Sequence, residues 1–232
     1  MLDRRARQLL APRLDAIGAR LAAAGVAPLT VTGLGWVAGL GACVAVGFGA
    51  WTVGLVLWLA NRLLDGLDGP VARHRGATDL GGFLDIVADF SIYAGFVVAV
   101  GVAVPDARVA ALVLLSAYYV SGTAFLALSS LIERRGGETG DGRSLRFVGG
   151  LAEGTETVVV YVLFCLWPAH AAVIAWVFAG AVWITAAQRV GYGVTLLRQP
   201  RPAPGRTESP GGHLAAPHPP ALRDRPILGQ EP

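Results

Sequence analysis

Five of the sixteen acidic residues fall between Asp65 and Asp89, in an otherwise apolar part of the chain. Carboxylates carried into apolar helices are costly, and the cost argues for a use. Asp65 and Asp68 stand three apart and share a face of one helix, while Asp85 and Asp89 stand four apart and share a face of the next. The connection from His74 to Thr78 is short, which makes the two helices antiparallel neighbours and lets the four carboxylates converge. Four anionic groups around one point repel one another unless cations neutralise them. Ligation by oxygen alone favours hard ions, Mg²⁺ or Mn²⁺, over zinc. Gly66 and Gly69 remove side chains beside the carboxylates, so that a bulky ligand can reach the backbone. One turn beyond Gly69 stands Arg73, whose guanidinium can clamp a diphosphate. Taken alone, Arg73 reads more readily as a cation anchored at a membrane interface, and a lone intramembrane aspartate as a helix-to-helix hydrogen bond. Four aspartates at these spacings go beyond that simpler account.

The elements that hold these residues belong in a bilayer. Of 232 residues, 54% are hydrophobic and 15% charged, a balance outside the soluble range. No charge occurs between Arg20 and Arg62. As one helix that stretch would be roughly twice the hydrocarbon thickness, so it must fold back on itself. The pattern predicts an all-α integral membrane protein with six transmembrane helices, preceded by an amphipathic interfacial helix over residues 1–27. Within that first segment Leu9, Leu10, Leu14, Ile17 and Leu21 recur at helical spacing among arginines, which suits a cytoplasmic membrane surface better than a signal peptide. The six-span domain is expected over residues 28–197. Its spans run from Pro28 to Phe48, Trp51 to about Arg73, Leu80 to Val104, Val109 to Ile132, about Gly149 to Pro168, and from there to near Leu197. Gly35 and Gly39 form a small-xxx-small pair that lets helices approach closely.

All 19 basic residues are arginine, and a net charge of +3 is too small and too dispersed for nucleic acid. Orientation in a membrane explains the arginines better. With six spans, every arginine cluster falls on one side and only Arg108 on the other, which puts both termini and the aspartate-rich turn in the cytoplasm. The expected location is a bacterial cytoplasmic (inner) membrane. From residue 198 to 232 the composition turns to Pro, Gly and scattered charge, predicting a disordered cytoplasmic tail. Cys43 and Cys165 lie alone in separate apolar runs and read as small packing residues.

Residues Asp65-Gly-Leu-Asp68-Gly69-Pro-Val-Ala72-Arg73, followed by Gly82, Asp85 and Asp89, resemble the signature of the CDP-alcohol phosphatidyltransferase family, D-x2-D-G-x2-A-R-x8-G-x3-D-x3-D. Six spans behind a basic amphipathic helix resemble that family too, so the likeness covers about Leu2 to Leu197. It implies that Asp65, Asp68 and Asp85 bind metal, that Asp89 binds metal while acting as base, and that Gly69, Ala72 and Arg73 line the CDP site. It implies two Mg²⁺ or Mn²⁺ ions, a lipid donor of the CDP-diacylglycerol type, a small alcohol acceptor of unspecified identity, release of CMP, and often a homodimer. Many members carry Pro-Asn at the start of the first span, where this chain has Pro28-Leu29-Thr30. The segment from Gly149 to Thr157 resembles an uncharacterised bacterial branch of the family, which specifies no acceptor. Arg143 and Arg146 are candidate contacts for a phosphate on the acceptor, and Glu153 and Glu156 read equally as acids at a helix N-terminus. Two rival readings are an aspartate-rich membrane prenyltransferase, whose usual chain is longer and whose two acidic motifs lie far apart, and a non-catalytic transporter or scaffold, which does not predict Gly69 or Arg73.

Overall fold

The structure, a computed structural model, describes residues 2–134 and 154–198, with side chains from Ala11 onward. These lie in the first of two compact units, Met1–Pro200; the second, Arg201–Pro232, lies outside the described residues. Among them there are seven α-helices and no strand: α1 (Leu2–Ala23), α2 (Pro28–Gly47), α3 (Trp51–Arg75), α4 (Asp79–Ala103), α5 (Arg108–Arg134), α6 (Gly154–Leu166) and α7 (Ala171–Arg198). Single 3₁₀ turns at Pro105–Ala107 and Pro168–His170 lead into α5 and α7. Each begins at a proline, whose missing N–H costs nothing in the first turn of a helix.

Apolar runs and their punctuation set these boundaries. Pro28 opens α2, and between α2 and α3 the chain turns at Gly49 with φ 76°, a conformation that glycine adopts freely. Gly76, with φ 99°, ends α3 in the same way. Thr78 then starts α4 by accepting a hydrogen bond from the Gly81 N–H at 3.1 Å.

Among the described residues four stretches are long and apolar enough to cross a membrane: Pro28–Gly47, Asp79–Ala103, Pro105–Arg134 and Pro168–Arg198. The second expected span, α3, has the length but also carries Arg62, Asp65, Asp68, Arg73 and Arg75, which lower its hydropathy. The fifth, α6, has 13 described residues; its expected start near Gly149, and with it Arg143, Arg146 and Glu153, lies outside the described residues.

Helices α2, α3 and α4 pack closely around small residues. A Cβ on Gly39 would stand 2.8 Å from the Ile92 side chain of α4, and one on Gly35 would stand 3.3 Å from Leu64 Cβ of α3. The Gly35–Gly39 pair thus lets α2 sit against both neighbours. On one side of this trio an aromatic core joins α3, α4 and α6. Trp58, Phe96, Tyr161 and Phe164 are fully buried there, with Tyr161 stacked on Phe96 at 4.5 Å and tilted against Trp58 at 4.9 Å. The Tyr161 hydroxyl donates to the Tyr93 carbonyl at 2.7 Å. Cys165 packs in the same core and Cys43 beside it, both as free thiols.

A smaller apolar cluster seats α1 on α3. Val31, Leu67 and Val71 are buried beneath Leu14, Leu21 and Val26. The contact depends on glycine at Gly18, where a Cβ would collide with Pro70. At Gly66, expected to clear space for a ligand, a Cβ would meet Leu14 of α1 at an ordinary contact distance of 3.5 Å.

Candidate active site

The site grows from the last turns of α3 and the first turns of α4, antiparallel neighbours across the turn between them. Oxygens of Asp65, Asp68 and Asp85 lie within 4.8 Å of one another, a spacing that a single metal ion could span. All three carboxylates are half-buried. Thr32 of α2 donates its hydroxyl to Asp68 at 3.1 Å and also approaches its own Pro28 carbonyl at 3.3 Å. Asp65, Asp68, Asp85 and Asp89 line one small pocket together with Thr32, Gly35, Trp36, Asn61 and Ala88. Trp36, at its exposed edge, donates to the Ser91 hydroxyl at 2.9 Å and so links α2 to α4.

Asp89 lines the same pocket and lies against both Asp65 and Arg62. Its Oδ1 accepts from Arg62 Nη2 at 2.8 Å, and the Nη1 of the same guanidinium reaches Asp65 at 3.4 Å. Arg62 is gripped from behind as well. Asn61 Oδ1 accepts from its Nε at 2.9 Å and its Nη2 at 2.7 Å, and the Tyr93 hydroxyl bonds Nη1 at 2.7 Å. Asn61 is fixed in turn by donating to the Gly35 carbonyl at 2.8 Å. The guanidinium lies over the Trp58 ring at 4.7 Å and the Tyr93 ring at 5.0 Å, where ring faces attract a cation.

Neither Arg62 nor Thr32 was expected at the site. The sequence carried one signal for Arg62: it is the first charge after Arg20 and lies one turn before Asp65 on the same helix face.

The other expected residues fall along α3 toward the surface. Gly69 and Ala72 are half-buried, and a Cβ on Gly69 would come within 3.6 Å of Arg73 Nη1. Arg73 is outside the pocket, with 62% of its side chain exposed, and pairs with Asp15 of α1 at 2.5 Å. The neighbouring Arg75 donates to the Ala22 carbonyl at 3.2 Å, a second tie between α3 and α1. Two residues separate Gly82 from Asp85, where the signature quoted above has three. The turn is one residue shorter than that pattern, and counting back from Asp85 lands on Gly81, the residue that Thr78 caps. Glu156 lies in the first turn of α6.

Known proteins resemble this chain. A model of the CDP-alcohol phosphatidyltransferase family matches residues 25–188. The inner membrane protein YnjF of Escherichia coli (strain K12) is 39% identical over 204 residues, which cover 85% of this chain and 98% of that protein. Among solved structures, Mycobacterium tuberculosis phosphatidylinositol phosphate synthase (PgsA1) with CDP-DAG bound is similar with a TM-score of 0.63 at 25% identity, over 78% of this chain and 94% of that one. The same synthase in complex with manganese and citrate has a TM-score of 0.63 at 25% identity, over 78% of this chain and 89% of that one.

Proposed function

This chain belongs to the CDP-alcohol phosphatidyltransferase family, and from that premise we propose that it transfers the phosphatidyl group of CDP-diacylglycerol to a small alcohol, with four aspartates as its working groups. It is a membrane-embedded, metal-dependent transferase of phospholipid synthesis. One observation carries the reading further: three carboxylates from two helices meet within 4.8 Å beside a fourth that lines the same pocket.

The donor set fits a hard cation. It is all oxygen, it is half-buried, and it comes from two helices braced by α2. Asp65, Asp68 and Asp85 would hold Mg²⁺ or Mn²⁺, with Asp89 completing the set when a second ion is bound. The bound metal supplies positive charge that offsets the diphosphate and the CMP leaving group.

The chain's own residues do the rest. Gly69 and Ala72 present a nearly bare strip of α3 on which cytidine and diphosphate can lie. Arg73, freed from Asp15, pairs with the diphosphate. Asp89 takes the proton from the acceptor hydroxyl while that oxygen attacks the β-phosphorus of the donor. The new phosphate ester bond forms as the bond from the β-phosphorus to the bridging oxygen breaks, and CMP departs with that oxygen. The proton stays on Asp89 until the product leaves.

We read α2 to α7 as six spans behind an interfacial α1, with both termini cytoplasmic and residues 28–197 as the catalytic unit. At about 1.5 Å per residue, the 25 residues of α3 are long enough to cross. Its charges can enter the bilayer because they face α1, α2 and α4 and pair with one another. The arginine asymmetry supports the orientation, and a reporter fused to the C-terminus that worked only in the periplasm would overturn it.

The test of the function is a product assay. Purified protein is given CDP-diacylglycerol, Mn²⁺ and a panel of acceptor alcohols, and the lipid product is read by mass. One acceptor should yield a lipid heavier than phosphatidic acid by the alcohol less water. Transfer from a prenyl diphosphate, or no product with any acceptor, would count against the reading.

A further inference from the structure

Asp89 is expected to bind metal and act as base, yet here it is held by a residue of α3 that no part of the signature contains. We propose that Arg62 is a built-in cation that positions Asp89 and sets how tightly the site takes its metal. This rests on the reading of the aspartates as metal ligands.

Burial is the first argument. Arg62 leaves only 11% of its side chain exposed, whereas Arg73, the cation that the signature does contain, leaves 62%. A surface arginine finds water wherever it points, but a buried one must have its charge and its N–H groups answered by protein. All three nitrogens of Arg62 have partners: Asp89 and Asp65 on the pocket side, Asn61 and Tyr93 behind, with two rings beneath. Such a fork is held from several sides at once. Its positive charge stands behind the pocket, against two of the carboxylates that line it.

Division of labour among the carboxylates is the second argument. Arg62 holds Asp89 through one oxygen, while oxygens of Asp65, Asp68 and Asp85 lie within 4.8 Å of one another. A guanidinium within reach of both Asp65 and Asp89 keeps four carboxylates tolerable before any metal binds. Its charge also repels the metal that the same carboxylates attract. Two consequences pull in opposite directions. Removing the charge should weaken the metal-free protein and tighten its hold on metal.

A residue that mattered only for packing would do neither selectively. Full-length protein, purified with Mn²⁺ and then stripped, is titrated with Mn²⁺ while the free ion is followed by electron paramagnetic resonance. Melting is measured in chelator and in saturating Mn²⁺, and turnover is measured alongside.

For Arg62→Met we expect Mn²⁺ binding at least about tenfold tighter than wild type, a lower melting temperature confined to chelator, and a lower kcat. Arg62→Lys, which keeps the charge but loses the fork, should bind Mn²⁺ about as wild type does and turn over at an intermediate rate. Arg62→Met with Asp89→Asn removes both partners of the pair and should recover most of the metal-free stability lost in the single variant. Unchanged or weaker Mn²⁺ affinity in Arg62→Met would overturn the inference, as would an equal loss of melting temperature with and without Mn²⁺. If Arg62→Met cannot be folded, recovery in the double variant sustains the inference and failure of both overturns it. Wild type and Asp65→Asn are titrated beside them. Should those two bind Mn²⁺ alike, the aspartate site itself falls and the inference with it; should they differ while Arg62→Met binds no tighter than wild type, the inference alone falls.

Discussion

The two ends of the α3–α4 pair are built on opposite rules. Around Trp58 and Phe96 rings pack on rings: four large aromatic side chains are fully buried, two of them from α6. Only one helical turn from Trp58 the rule changes, and from Asn61 onward the helices carry carboxylates, glycines and a pocket. In a bilayer, lipid tails are as apolar as the rings, so the aromatic end is held by close packing rather than by escape from water. The carboxylate end gives up that packing and is held by ion pairs and hydrogen bonds through Arg62, Asn61, Thr32 and Tyr93. Arg62 bridges the two ends, lying on the Trp58 ring and bonding to Asp89. Stability and chemistry thus occupy separate halves of one helix pair, and mutations should sort accordingly.

The largest effect should come from the chemical end. Asp89→Asn should lower turnover by about 10²–10⁴-fold, since an amide cannot serve as a base. Its folding should survive, because the amide is nearly isosteric and relieves repulsion among the carboxylates. Asp65→Asn should also lose turnover but by weakening metal affinity, so that raised Mg²⁺ restores part of its activity and none of that of Asp89→Asn. Equal rescue of both by metal would reduce Asp89 to a ligand and blur the division proposed for the carboxylates.

Next comes the packed end. Tyr161→Ala empties a ring from the middle of the aromatic core and removes the hydrogen bond to the Tyr93 carbonyl, a loss of about 3–5 kcal/mol. The melting temperature should fall alike in Mn²⁺ and in chelator, while Mn²⁺ affinity of the folded fraction holds. Weakened metal binding in folded Tyr161→Ala would show that the two ends are not separable.

Asp15→Asn should do least. The pair with Arg73 is exposed on both sides and contributes about 0–1 kcal/mol. On the proposed role of Arg73 the donor diphosphate takes it from Asp15, so loss of the pair should lower donor KM by up to about fivefold with kcat unchanged. A raised KM would instead make Asp15 an orienting partner of Arg73.

Legibility in the sequence follows the same boundary. Hydropathy and the punctuation at Pro28, Gly49, Gly76 and Pro105 lay along the chain, and the helix ends match to within a few residues wherever they are described. The aspartates were legible because each pair sits within one helical turn. Arg62 was not, since its partner Asp89 lies 27 residues away on another helix and local spacing cannot show that pairing. Gly66 shows the same limit: that it borders Leu14 follows from how α1 docks on α3, which no local pattern in the chain encodes. The span count was least legible at α3, because the charges that make the site are the same ones that lower the hydropathy of the helix.

The central claim is that these aspartates, with metal, cleave a CDP-alcohol. The most direct measurement is CMP release from CDP-diacylglycerol by purified wild-type protein, with the acceptor panel present, first after chelation and then across a Mn²⁺ titration. CMP should be absent after chelation and rise to saturation with Mn²⁺, and its release from Asp89→Asn should stay about 10²–10⁴-fold slower than wild type at every Mn²⁺ concentration. CMP release that persists in chelator, or full release from well-inserted Asp89→Asn protein, would contradict it.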